Sequence, residues 1–338
     1  MKKSRKISTT VACILLSSQL AGLSIAAQYP MPPEGVDLVG EITIAYPRYE
    51  DTLLEIGERY EMGFDELKWA NPNVNTWVPG ANTPVIIPAQ YILPKGVREG
   101  IVLNIPEMRA YYFPKDKQSV YIYPVSVGRM DWKTPLGKSY VTAKQKDPAW
   151  YPPESIQREH LEDGRGVLGK YVAPGPNNPL GQHVLRLSLP SYLLHGTNDS
   201  DGIGMRVTHG CMRFFPKNIE ELYNIVPLKT SVYIINQPVK IGWDGERLMI
   251  ETNPTLEEDN LSKADVVNIA HELLISYQND ESIELNDIKI IDIAIEQMSG
   301  IPVQIGRKRS SLHTQENSYE DEDIQDFNPK MPLQLISQ

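Results

Sequence analysis

Cysteine is almost missing from this chain: of 338 residues, only Cys13 and Cys211 carry a thiol. A disulfide-stapled fold is therefore excluded. Cys211 has neither a second Cys nor a CxxC pair beside it, which argues against a metal site. Phenylalanine is also scarce (5) while proline is abundant (27), a balance that favours many turns and short strands over long helices. Positive charge is in deficit. A net charge of -10 argues against non-specific nucleic-acid binding, which needs a basic face to displace counterions. Beyond the N-terminus no apolar run is long enough to span a bilayer, and no internal repeat is visible. What remains, 41% hydrophobic and 22% charged residues, is ordinary for a soluble globular protein with two or three domains.

The N-terminus has the three-part layout of a secretory signal peptide. Lys2, Lys3, Arg5 and Lys6 form a basic start, Val11–Leu23 an apolar run, and Ser24-Ile25-Ala26 a small-residue cleavage site. The run is short of the ~20 residues of a membrane span and is interrupted by Ser17, Ser18 and Gln19. Cys13 is no lipoprotein site, because the apolar run continues past it. Cleavage after residue 26 leaves Cys211 alone, and a free thiol in an oxidising compartment is a liability unless buried or used.

Residues 28–40 read as a Pro- and Gly-rich lead-in. In 41–90, Ile42-Thr43-Ile44 is a strand candidate, and Asp51 or Thr52 can cap a helix carrying Leu53, Leu54, Ile56 and Tyr60. A second helix with Phe64 and Leu67 ends at Asn71-Pro72, and Val85-Ile86-Ile87 closes a βααβ unit. From residue 97 to 237 the pattern turns to strands: Ile101–Ile105, Arg109–Phe113, Ser119–Gly128, Val184–Leu189 and Ser231–Ile235, with a helix over Pro216–Tyr223. Residues 131–181 read as a long loop whose Trp and Tyr content favours function. A small α/β unit follows over 238–306, with a strand at Arg247–Glu251, helices over Ser262–Ile275 and Asp287–Gln297, and a last strand at Pro302–Ile305. His271 on the first of these helices reads as a packing or surface residue. Residues 307–338, with Glu320-Asp321-Glu322-Asp323, read as a flexible tail.

The stretch DTLLEIGERYEMGFDELKWANPNVNTWVPGANTPVIIP (51–88) resembles a LysM module, a small domain that binds N-acetylglucosamine-containing glycans. It departs at the start, where Pro47-Arg48-Tyr49-Glu50 replaces the usual Gly. Many of its matching positions are core and turn residues, so the module fold is better supported than glycan binding.

The strongest chemical signal surrounds the lone thiol: His195-Gly196-Thr197, then Gly202-Ile203-Gly204-Met205-Arg206-Val207-Thr208-His209-Gly210-Cys211-Met212-Arg213. A thiol attacks as thiolate and at neutral pH needs a base or a positive neighbour. His195 and His209 are both candidates, and spacing alone does not choose between them. Gly210 permits a tight turn that can aim backbone N–H groups at an oxyanion. Arg206 and Arg213 can bind a substrate carboxylate or depress the thiol pKa, and Met205 and Thr208 complete the candidate substrate contacts. Without further information, a buried structural cysteine is the simpler reading.

The same residues resemble the active-site motif of the L,D-transpeptidases, the YkuD-type catalytic domain. The likeness spans about 97–237 and includes Lys133-Thr134-Pro135-Leu136-Gly137 and Pro176-Asn177-Asn178-Pro179-Leu180-Gly181. Arg213 stands where the family often has Asn. Together with Asp147–Pro153, it matches the ErfK-like branch, which includes enzymes that attach an outer-membrane lipoprotein to peptidoglycan. The resemblance implies a mainly β catalytic domain of β-sandwich type. It implies Cys211 as nucleophile, His195 rather than His209 as proton acceptor and donor, and the Gly196 carbonyl as the group orienting the base. His209 and Gly210 would shape the cysteine loop and oxyanion site. It further implies a periplasmic enzyme acting on peptidoglycan stems without metal or organic cofactor, and acylated by carbapenems. The acceptor would be a lipoprotein lysine or another stem's diamino acid. A hydrolase of the same bonds and a non-catalytic wall-binding protein are the rival readings.

Overall fold

The computed structural model describes residues 28–309, apart from 279 and 281. The expected signal peptide and all but the first three residues of the expected tail lie outside the described residues. Among those described, no helix is long and apolar enough to cross a membrane.

The lead-in expected to be irregular contributes two short strands, β1 (Gln28–Pro30) and β2 (Leu38–Gly40). The βααβ unit follows as β3 (Thr43–Ala45), α1 (Leu53–Tyr60), α2 (Phe64–Ala70) and β4 (Val85–Ile87), with β3 antiparallel to β4. Thr52 caps α1: its hydroxyl accepts from the Glu55 amide while the Glu55 carboxylate accepts from the Thr52 amide. Leu53 and Ile56, on one face of α1, are wholly buried against Leu67 and Val85. Glu61, left-handed at φ 56°, ends α1 and starts a tight turn into α2. Strand β5 (Gln90–Ile92) pairs with β2.

The next strands are β6 (Gly100–Asn104), β7 (Arg109–Phe113), β8 (Ser119–Gly128) and β9 (Gly137–Lys146). Helix α3 (Glu154–Glu162) precedes β10 (His183–Leu187), β11 (Leu193–His195), β12 (Arg206–Thr208) and β13 (Met212–Phe214). Helix α4 (Pro216–Ile225) and β14 (Ser231–Ile235) complete this part. The sheet order is β1-β8-β13-β11-β10-β9-β14-β6-β7, with β12 beside β8. β7 also pairs with β8, and the long strands β8 and β9 each pair with different neighbours along their two halves, so shared strands join the two faces of a mainly β domain. Inside lies an apolar core that includes Ile101, Leu103, Val125, Val127, Leu194 and Phe214. The expected long loop over 131–181 is corrected by β9 and α3.

Beyond this sheet, β15 (Val239–Asp244), β16 (Arg247–Thr252), α5 (Lys263–Gln278), β17 (Ile283–Leu285), α6 (Lys289–Gln297) and β18 (Val303–Lys308) form a second unit. Its antiparallel sheet, β15-β16-β18-β17, carries α5 and α6 over a core that includes Leu248, Ile250, Ala270 and Leu274. Strand β18 runs to Lys308, past the expected boundary at 306. One buried cation ties the parts together: Lys240 Nζ lies 2.8 Å from Glu107, 2.9 Å from Glu251 and 2.5 Å from the Ile92 carbonyl. Burial pushes Glu107 up; Lys240 holds it back and Glu251 reinforces the rise.

Candidate active site

Strand register brings the thiol and the first histidine to one face. β11 runs parallel to β13, with Leu194 beside Met212 and His195 beside Arg213. Side chains alternate along a strand, so Leu194 and Met212 enter the core, where both are fully buried. His195, Arg213 and Cys211, which lies two residues before Arg213, then share the opposite face. There they line a cleft of about 460 Å³ with Thr208 and His209. Trp132, Trp150, Tyr151 and Ile156 form its apolar walls, the last three carried by the segment leading into and through α3.

The His195 ring is oriented by its own neighbour. Nδ1 lies 2.6 Å from the Gly196 carbonyl. A carbonyl only accepts, so Nδ1 carries the proton and Nε2 keeps its lone pair. Burial, with the charge of Arg213 added and the Gly196 hydrogen bond opposing, pulls the imidazole down to about 4. Burial pushes the Cys211 thiol up, with the Leu193 backbone and Arg213 pulling it back. At neutral pH the pair therefore rests as neutral thiol and neutral imidazole. Cys211 is half-buried, and its Sγ is 3.5 Å from the Ser191 carbonyl.

The turn before Cys211 is fixed by two threonines. Thr208 Oγ1 donates to the Cys211 carbonyl (2.6 Å) and accepts from the Gly210 amide (3.2 Å). Thr134 Oγ1 donates to the Gly210 carbonyl (2.9 Å) and accepts from the Gly128 amide (3.0 Å). Gly210 has φ +97°, and a Cβ there would stand 2.8 Å from Tyr192 Cε1, so both conformation and space require glycine. Its amide is already engaged by Thr208 and is not a free oxyanion donor.

Not every residue singled out in the sequence reaches the cleft. His209 lines it, but Nε2 is held by Glu159 of α3 and lies 3.4 Å from Arg129, which itself pairs with Glu159 at 2.7 Å. Arg206 turns away: its guanidinium forms a two-pronged pair with Glu258, both contacts at 2.8 Å. Met205 packs against the βααβ core. Neither Arg206 nor Met205 is among the cleft residues, whereas Arg213 lines the cleft with its buried Nε unpartnered among the described residues. Glu159, Ser191 and Tyr192 escaped the sequence reading, since an isolated acid, serine or tyrosine outside any motif carries no local signal. Thr134 was legible only as part of the Lys133–Gly137 likeness. Among the described residues no group of three or more His, Cys, Asp or Glu stands close enough to hold a metal ion.

Comparison with known proteins agrees with this architecture. Residues 98–234 match the YkuD model, described as the L,D-transpeptidase catalytic domain. "Probable L,D-transpeptidase ErfK/SrfK" of Salmonella typhimurium is 36% identical over 302 residues, 86% of this chain and 94% of that protein. "Probable L,D-transpeptidase YcfS" of Escherichia coli is 36% identical over 296 residues, 86% of this chain and 91% of that protein. "Probable L,D-transpeptidase YbiS" of Escherichia coli is 35% identical over 306 residues, 89% of this chain and 99% of that protein. With likeness running through nearly the full length of these relatives, this chain belongs to the L,D-transpeptidase family.

Proposed function

We propose that this chain is a periplasmic L,D-transpeptidase that acts on peptidoglycan tetrapeptide stems through a thioester on Cys211. The observation that carries the reading is the His195 tautomer, fixed by the Gly196 carbonyl, on the strand face shared with Cys211. In the first step Sγ–H gives its proton to His195 Nε2, and sulfur attacks the carbonyl carbon of the third stem residue. The C–N bond to the terminal D-Ala breaks, and the imidazolium returns the proton to the departing amine. An acceptor amine then attacks the thioester. Its proton passes to His195, the C–S bond breaks, and the thiol is regenerated. Held down to about 4, the buried imidazole keeps Nε2 unprotonated at neutral pH and open to the thiol proton.

Arg213 provides the remaining charge. It is half-buried beside the thiol and has no acidic side chain paired with it among the described residues, which suits a carboxylate of the stem. His209, locked to Glu159, anchors α3 over the cleft. The acceptor we favour is a lipoprotein C-terminal lysine or a second stem's diamino acid; water as acceptor would make the enzyme a carboxypeptidase. The βααβ unit is read as a LysM-like glycan-binding module. Its support is the fold over 43–87, the Asp51–Arg59 pair and the exposed Tyr46, Tyr49 and Trp77. The test of the nucleophile is intact mass after exposure to a carbapenem. Ring opening by Cys211 adds the whole drug mass, and Cys211→Ala should gain none. An unmodified native chain, or a mutant adduct of equal yield, would overturn the assignment.

A further inference from the structure

The turn between α1 and α2 grips the segment that joins the two halves of the site. The amides of Phe64 and Asp65 donate to the carbonyls of Ile203 and Gly204, at 3.0 and 3.2 Å. The two backbones touch at paired glycines: a Cβ on Gly63 would lie 3.0 Å from Gly204 Cα, and one on Gly204 would lie 2.2 Å from Gly63 Cα. Two charged anchors flank this contact. Glu61 accepts from Asn218 Nδ2 at 2.9 Å and meets Lys217 Nζ at 2.6 Å. Glu66 forms a buried pair with Arg109 and also caps the Gly63 amide.

The gripped segment, residues 198–204, runs from the loop after His195 towards β12. It lies against the Arg213 guanidinium: a Cβ on Gly202 would be 3.5 Å from Nη1. Ser126 Oγ donates to the Gly202 carbonyl, and Ser126 is the register partner of Arg213. The negative charge of Asp199 acts on Arg213, opposing the downward pull of burial on the guanidinium.

We propose that the α1–α2 turn positions the 198–204 segment and, through it, the Arg213 guanidinium over Cys211, making Glu61, Gly63 and Glu66 positioning residues for carboxylate recognition. The N-terminal unit is then part of the catalytic apparatus as well as a tether. This inference rests on the reading of Arg213 as a carboxylate contact. Gly63 has φ -69°, open to any residue, so a side chain placed there pushes on Gly204 without straining its own backbone.

The experiment compares alkylation of Cys211 by iodoacetate and by iodoacetamide in the full chain. Both form S–C and expel iodide, and only the first carries a carboxylate. The ratio of the two rates reports on Arg213 and is blind to a uniform loss of thiol reactivity. Arg213→Gln should lower the ratio about tenfold, the effect of one lost charge-assisted contact. Gly63→Val should lower it in the same direction, by about threefold or more. If circular dichroism shows Gly63→Val unfolded, Glu61→Gln, which keeps shape and loses only charge, carries the same expectation. A fall in Arg213→Gln with no fall in the turn variants would overturn the positioning role and leave the carboxylate reading intact. An unchanged ratio in Arg213→Gln would remove the reading beneath it. Equal loss of both rates in the turn variants would make the turn mere support and also overturn the proposal.

Discussion

Arg213→Gln removes a charge that acts on both His195 and Cys211. The guanidinium adds to burial in lowering His195 and works against burial at Cys211, so its loss should raise both groups. The imidazole should rise from about 4 but stay below free histidine, because burial, the larger cause, persists. Stability follows with a definite sign. A depressed histidine leaves the unfolded chain binding the proton more readily between about 4 and 6.5, so the native chain loses stability as pH falls through that window. The loss amounts to roughly 3 kcal/mol in the native sequence, from 6.5 to about 4 at about 1.36 kcal/mol per pKa unit, and is smaller in Arg213→Gln. Imidazole NMR titration, with the His195 resonance identified by His195→Gln, reads the first quantity; urea unfolding across the same pH range reads the second. A His195 titration that stays put or falls in Arg213→Gln would refute the electrostatic reasoning.

Gly210→Ala should destabilise the chain by about 2–4 kcal/mol, from a left-handed backbone and the 2.8 Å approach to Tyr192, and slow Cys211 alkylation. Unchanged melting and thiol reactivity would contradict that. Thr134→Val strips the hydroxyl that joins Gly128 to Gly210, and should cost about 1–3 kcal/mol in urea unfolding with faster amide exchange at Gly128. Lys240→Met leaves Glu107 and Glu251 buried without their cation and should cost about 3–5 kcal/mol. Part of that cost should return in acid as Glu107, already pushed up by burial, protonates, so a loss independent of pH would count against the buried-charge explanation.

The strands that read cleanly from sequence are those with apolar residues facing a core. Arg109–Phe113 and Ser231–Ile235 match the observed β7 and β14, and Thr52, one of two candidates with Asp51, caps α1. Strand β9 stayed hidden because GKSYVTAKQK buries chiefly Ser139 and Val141, too little apolar signal to separate it from a polar loop. Helix α3 was hidden for a related reason: it has no buried residue, and its Glu159 finds meaning only when Arg129 and His209 arrive from just past the ends of β8 and β12. The choice between His195 and His209 was open on spacing. The parallel register of β11 with β13, and the pairing of His209 to Glu159, separate them in space. The fate of Arg206 also depended on a partner 52 positions away, Glu258, beyond any local motif.

The most direct test is product analysis of the mature protein with a purified disaccharide-tetrapeptide, with and without a peptide ending in lysine, followed by mass spectrometry. Cys211→Ala and His195→Ala serve as controls. The account predicts loss of D-Ala together with a new amide to the stem or lysine amine, abolished in Cys211→Ala and reduced by about 100-fold or more in His195→Ala. Release of D-Ala with only water added would contradict the transferase assignment and leave a carboxypeptidase. No change that depends on Cys211 would contradict the catalytic account itself.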